Sequence, residues 1–300
     1  MAFRDDPKTG IIFDTDIGFD PDDFFALLLL LNSPEITLDL VVTGDEHNGG
    51  RATLTREILK LCGQEKIPVA AGADLGSSKY FLSELVEEMP IPQDGGDDAT
   101  DALLSIFDRY DRVVYVGAQG MTNIARFIER RLDVAQKLSL YQMGGAINFS
   151  RYPGWVEHNV RIDVPSARKV LASGAEISLI MAQTTTEPEL QFNDDQPIMK
   201  RIRASAEPVH RLLLKNITIA RQRFLDDGKK NAFPYAHDPL TASVALGKDF
   251  VTFDTAPISL DDKGNTFIDP ANGKPMKISR KESRAKEFME FLEERIFSGH

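Results

Sequence analysis

A single cysteine, Cys62, stands in 300 residues, so no internal disulfide can staple this fold. It lies in the helix-period segment TLTREILKLCG, where a buried spacer is the expected role and a catalytic thiol is not. Long apolar runs are missing too: no stretch reaches the roughly 18 to 20 residues needed to span a bilayer. The opening MAFRDDPKTG carries charges in place of an apolar signal core, so the expectation is a cytoplasmic protein with no membrane partner. Basic charge is in deficit, with 35 Lys and Arg against 46 Asp and Glu and a formal net charge of −11. That balance argues against nucleic acid or an anionic surface as a partner. It leaves room for a small molecule held by a local site.

What is present describes an ordinary globular chain, 42% apolar and 27% charged, long enough to bury a substantial core. Short β-rich runs alternate with helix-period segments over the first 180 residues. Strands are predicted at Gly10–Phe13, Leu38–Thr43, Pro68–Ala71, Val113–Val116, Leu138–Met143 and Ile177–Met181. Helices are predicted at Phe24–Leu31, Thr53–Leu61, Asp101–Phe107, Asn123–Glu129 and Val164–Ala172. Several strands are nearly continuous apolar runs, as parallel strands covered on both faces should be. The alternation implies an α/β fold with an open, mostly parallel sheet and helices on both faces. Residues 187–230 read as a helical elaboration with a polar break near Phe192–Gln196. Residues 251–280 read as a β-hairpin turning at Asp261–Asn265, with a second turn at Pro270–Lys274, and Lys281–Ile296 as a charged amphipathic helix. With no linker or internal repeat, one domain over 1–300 is expected.

The segment IIFDTDIGFDPDDFFALLLLL concentrates the chemistry. A short apolar run ends among five aspartates, Asp14, Asp16, Asp20, Asp22 and Asp23, and an apolar helix pattern follows at once. Such a cluster at a strand end repels itself unless a hard cation binds there, and an all-oxygen set suits Ca²⁺ or Mg²⁺ better than zinc. Helix capping alone needs only one or two such residues. In a doubly wound sheet, ligands bind beyond the strand C-termini. The same edge receives TGDEHN with Asn48, VGAQGMTNIA with Thr122, and MGGAINFSRYPGWVEHN with Met143, Arg151, Glu157 and Asn159. YAHDPLTA adds the adjacent pair His237 and Asp238.

These five segments, in this order, make the chain resemble the inosine-uridine type nucleoside hydrolases from Gly10 to about Leu246. The resemblance implies calcium-dependent cleavage of the N-glycosidic bond of a ribonucleoside or modified nucleoside, with one Ca²⁺ per chain and a homodimer or homotetramer. It implies Asp16 as the general base on a calcium-held water, and His237 as the acid-side group near the leaving base. The implied metal set is Asp16, Asp23, Asp238 and the carbonyl of Thr122. Asp22, Asn48, Glu157 and Asn159 would bind ribose, with Met143 below the sugar. The opening motif fits once two extra residues are allowed around Asp20–Pro21; without that gap a proline would fall at a ligand position.

Three departures stand out. Arg151 takes the place where such enzymes often carry an asparagine for the 5′ hydroxyl; a larger or anionic 5′ substituent is one hypothesis for it, and the nearby Glu157 carboxylate weighs against a phosphate. The histidine–glycine segment after the third strand is absent. Arg221 and Arg223 stand where aromatic residues often flank the base. His47, His158 and His210 read as structural or exposed, and Thr184–Thr186 as a strand end or helix cap. Two alternatives remain open: a silent ribose-binding protein, and a Mg²⁺-dependent haloacid-dehalogenase-like phosphohydrolase, whose later lysine and acidic pair cannot be placed.

Overall fold

The computed structural model describes residues 8–76, 78–90, 99–229 and 233–298. Nine strands form one sheet: β1 Thr9–Thr15, β2 Leu40–Thr43, β3 Val69–Ala71, β4 Arg112–Gly117, β5 Leu138–Met143, β6 Glu176–Ile180, β7 Val251–Leu260, β8 Thr266–Ile268 and β9 Lys274–Ser283. Their order is β3-β2-β1-β4-β5-β6-β9-β7-β8. From β3 to β9 all neighbours are parallel, and β7 and β8 close the edge antiparallel.

β1 is buried along its whole length because helices cover both faces. Ile11 and Phe13 enter one apolar core with the helices Asp22–Leu31, Pro208–Asp226, His237–Ala245 and Ala285–Ser298. Ile12 enters the other, with Ala99–Arg109, Thr122–Arg130 and Val164–Ala172. At the start of β1 the backbone passes so close to Tyr110 that a Cβ on Gly10 would meet its ring at 2.4 Å. Only glycine fits there.

Every predicted strand and helix of the first 180 residues is present, with ends shifted by a few residues. The C-terminal part differs from its reading. The turn at Asp261–Asn265 forms, with the Asp261 carboxylate accepting from Lys263 N and Asn265 N at 2.9 Å each. The hairpin does not stand apart, however: β9 inserts between β6 and β7 and extends the main sheet. Lys281–Ser283 belongs to that strand, where Ser283 pairs with Val251, and the last helix begins at Ala285. Ladder pairing outweighs the helical charge pattern of that stretch. Among the described residues no helix is long and apolar enough to cross a membrane.

Candidate active site

The strand order reverses between β1 and β4, and a pocket opens at their C-terminal ends. Residues at or just past four strand ends line it: Asp16 after β1, Ala118 after β4, Met143 at the end of β5, and Ala182 beyond β6. Gly18, at φ +111°, lets the aspartate loop turn back toward the following helix.

Two buried helices aim their N-termini at this pocket. Asp22–Leu31 is buried on nearly all sides and packs against His237–Ala245. Asp22 and Asp23 occupy the first turn of one and Asp238 the first turn of the other, where the helix dipoles favour negative charge. One carboxylate oxygen from each of the three lies within 4.8 Å of the others. Burial pushes all three carboxyl groups well above the ordinary carboxylate range, and mutual repulsion adds to it. Three buried acids with so little compensation fit a divalent, oxygen-seeking cation. Asp16 adds to the repulsion, and its Oδ2 lies 3.9 Å from His158 Nε2.

The five aspartates of the sequence cluster therefore divide. Asp16, Asp20, Asp22 and Asp23 line the pocket. Asp14 does not: Tyr115 Oη donates to it at 2.5 Å and Asn123 Nδ2 at 2.9 Å, with Gln119 Nε2 as a third donor. Burial still pushes its pKa up to about 7. Asp14 ties β1 to the loop after β4.

His237 is held as a neutral imidazole. Arg151 Nη2, which can only donate, lies 3.0 Å from Nε2, so the ring proton sits on Nδ1 and is given to Thr185 Oγ1 at 2.6 Å. Burial, and then the Arg151 charge, hold its pKa well below the usual imidazole value. Thr185, read from sequence only as a cap or strand end, fixes this tautomer.

Glu157 caps the short helix His158–Arg161. Its carboxylate accepts from Asn159 N, Val160 N and Gly145 N, each at 3.0 Å. Asn159 spends its amide N–H groups on Met143 O at 3.1 Å and Ala118 O at 3.3 Å, which leaves its side-chain oxygen as the acceptor. Met143, Arg151, Glu157, Asn159, His237 and Asp238 are thus brought together as the sequence implied. Asn48 is not brought to them: at φ +50° it lines a separate depression with His47 and Phe81. The Thr122 hydroxyl turns to Asp163 at 2.7 Å, and the residue is not part of the pocket lining.

Several pocket residues escaped the sequence reading. His158, which the sequence reads as structural or exposed, faces Asp16; its place between Glu157 and Asn159 is the available signal. Phe19, Tyr80, Trp155 and Phe224 supply aromatic walls, and Lys229 lies over the Phe224 ring at 3.8 Å. Arg221 and Arg223 turn aside to Asp194 and Glu84. Around the aspartate loop, the wholly buried Arg51 donates to the carbonyls of Asp16, Ile17, Asp45 and Tyr80.

The chain is 23% identical over 261 residues to the pyrimidine-specific ribonucleoside hydrolase RihA of Citrobacter koseri, covering 81% of this chain and 80% of that protein. Uridine nucleosidase 1 of Arabidopsis thaliana is 26% identical over 274 residues, covering 85% and 79%. Among solved structures, the purine-preferring ribonucleoside hydrolase from Gardnerella vaginalis superposes with a TM-score of 0.80 at 21% identity, covering 97% of this chain and 99% of that one. A plant nucleoside hydrolase gives 0.78 at 22% identity, with coverages of 97% and 99%. The pattern of the inosine-uridine preferring nucleoside hydrolases matches residues 11–294, and the chain belongs to that family.

Proposed function

We propose that this protein hydrolyses the N-glycosidic bond of a ribonucleoside or modified nucleoside in the pocket beyond β1 and β4, with one Ca²⁺ held by Asp22, Asp23 and Asp238. The observation that carries the reading is the buried carboxylate triad beside Asp16, facing Glu157 and Asn159 across one pocket. A bound divalent cation supplies positive charge that offsets the triad and polarises oxygen ligands.

The chain's own residues supply the remaining requirements. Asp16 opens to the pocket and takes the proton of the attacking water, help that is typically worth about 10²–10⁴-fold. His158 Nε2 faces that carboxylate from 3.9 Å. Cleavage builds positive charge on the ribosyl ring, which the neighbouring acids favour. Glu157 has roughly four acceptor positions, of which three serve backbone N–H groups, so about one remains for a sugar hydroxyl. The Asn159 side-chain oxygen supplies another. Arg151 and the aromatic walls meet whatever projects from the opposite face of the sugar.

The phosphohydrolase alternative would use the first aspartate of its Asp-x-Asp pair as the nucleophile. That residue is Asp14, which is buried, triply hydrogen-bonded and outside the pocket. The silent-binding alternative has no use for a carboxylate placed like Asp16.

Reducing-sugar release from purine and pyrimidine ribonucleosides, with and without a calcium chelator, tests the reading. Uridine and cytidine come first, given the names of the relatives. Chelator-sensitive release is expected; binding of nucleosides without turnover would favour the silent-binding protein.

A further inference from the structure

We infer that the pocket mouth is a subsite for a phosphate on the ribosyl 5′ carbon, which makes nucleoside 5′-monophosphates the preferred substrates. The inference rests on the N-ribohydrolase reading and concerns the same pocket. In a β-nucleoside, the base and the 5′ carbon project from one face of the ribose. The 2′,3′ diol and the attacking water lie on the other. With that second face toward Asp16 and the Asp22–Asp23–Asp238 triad, the 5′ substituent points away from the acids and toward the mouth.

Two cations stand there. Arg151 is held by neutral partners: His237 Nε2 at 3.0 Å, the Trp155 ring at 5.6 Å and the Tyr235 ring at 5.9 Å. Lys229 lies over the Phe224 ring at 3.8 Å. Among the described residues neither forms a salt bridge with a carboxylate, whereas Arg203, Arg221 and Arg223 nearby are all ion-paired. Arg151 and Lys229 both act on Asp20; Lys229 also meets Asp227, which Lys79 pairs at 3.2 Å, so three cations face two carboxylates and one positive charge is left over. A neutral 5′ hydroxyl would use neither charge. A phosphate dianion uses both, and a guanidinium matches its oxygens in pairs.

The sequence objection was that Glu157 would repel a phosphate. The structure weakens it, because three backbone N–H groups at 3.0 Å each turn their dipoles on that carboxylate and partly offset its field. Asp20 is the pocket-lining acid that acts on both cations, and one of its oxygens is buried without a hydrogen-bond partner.

The test measures kcat/KM of the calcium-loaded enzyme for uridine and inosine against their 5′-monophosphates. The expected result is a preference of at least about tenfold for the monophosphates. Lys229→Gln and Arg151→Gln should lower that ratio by a similar factor, and Asp20→Asn should raise it. A preference for free nucleosides overturns the subsite and leaves the N-ribohydrolase reading intact. So do variants that lower both activities equally, which would mark these cations as structural or base-directed. If no member is hydrolysed, the N-ribohydrolase reading fails. Calorimetry with ribose 5-phosphate against ribose then decides the subsite: tighter, salt-sensitive binding of the phosphate upholds it, and equal binding ends it.

Discussion

Asp16 and Glu157 illustrate how neighbouring carboxylates divide labour. Asp16 is partly open and faces His158, with no backbone N–H partner for its side chain among the hydrogen bonds described, so its oxygens are available for chemistry. Glu157 is buried and binds three N–H groups, so much of its role is to hold the chain in place. Asp16→Asn should therefore cut kcat by roughly 10²–10⁴-fold while leaving thermal stability unchanged or raised, since it removes one repelling charge. Glu157→Ala should behave in the opposite way, losing about 1–3 kcal/mol of unfolding free energy through its lost cap, together with weaker sugar binding. Denaturant midpoints and steady-state kinetics on both variants check the division. Equal stability of Glu157→Ala and the parent would return Glu157 to a purely ligand-facing role.

The loops that carry these residues depend on Arg51, which nothing in the sequence singled out. Its guanidinium joins carbonyls from three loops and lies 3.7 Å from the Asp45 carboxylate, both side chains being buried. Glu46 beside it accepts from the N–H groups of His47, Arg51 and Ala52. The DEHN turn thus serves the interior, which is why Asn48 does not reach the pocket beyond β1 and β4. Contacts between loops tens of residues apart leave no periodic trace, whereas covered parallel strands announce themselves as apolar runs. The helix Val164–Ala172 was legible to the residue for the same local reason. The edge strand β9 was not, because its last residues are charged and only its pairing with β7 makes them a strand. Arg51→Met should cost about 3–5 kcal/mol, since it leaves buried carbonyls and Asp45 without their cation. It should also lower kcat/KM by loosening the Asp16 loop. Arg51→Lys should not restore either property, because one ammonium cannot span the positions that the planar fork reaches. A urea midpoint for Arg51→Met within error of the parent would show that the network is ornamental.

At the scale of the whole molecule, a buried triad of acids sits where the helices Asp22–Leu31 and His237–Ala245 meet over the parallel sheet. Asp22 and Asp23 come from the first crossover and Asp238 from a segment more than two hundred residues later. A cation bridging them therefore joins distant parts of the chain, and only the folded state presents the site. Binding to the folded state alone stabilises by RT ln(1 + [L]/Kd), about 2.7 kcal/mol at a hundredfold excess over Kd, which for a chain of this size is a rise of several degrees in Tm. Calcium should raise Tm in this graded way and a chelator should reverse it, as followed by differential scanning fluorimetry. Asp238→Asn should abolish most of the response, because it removes the ligand that ties the late helix to the early one. Substitution of an acid outside the triad, such as Asp133→Asn on the exposed surface, should leave the response intact. Calcium-independent melting of the parent, or an undiminished response in Asp238→Asn, would remove the triad as the metal centre. The buried charge would then have to be carried by protons shared among the three carboxyl groups.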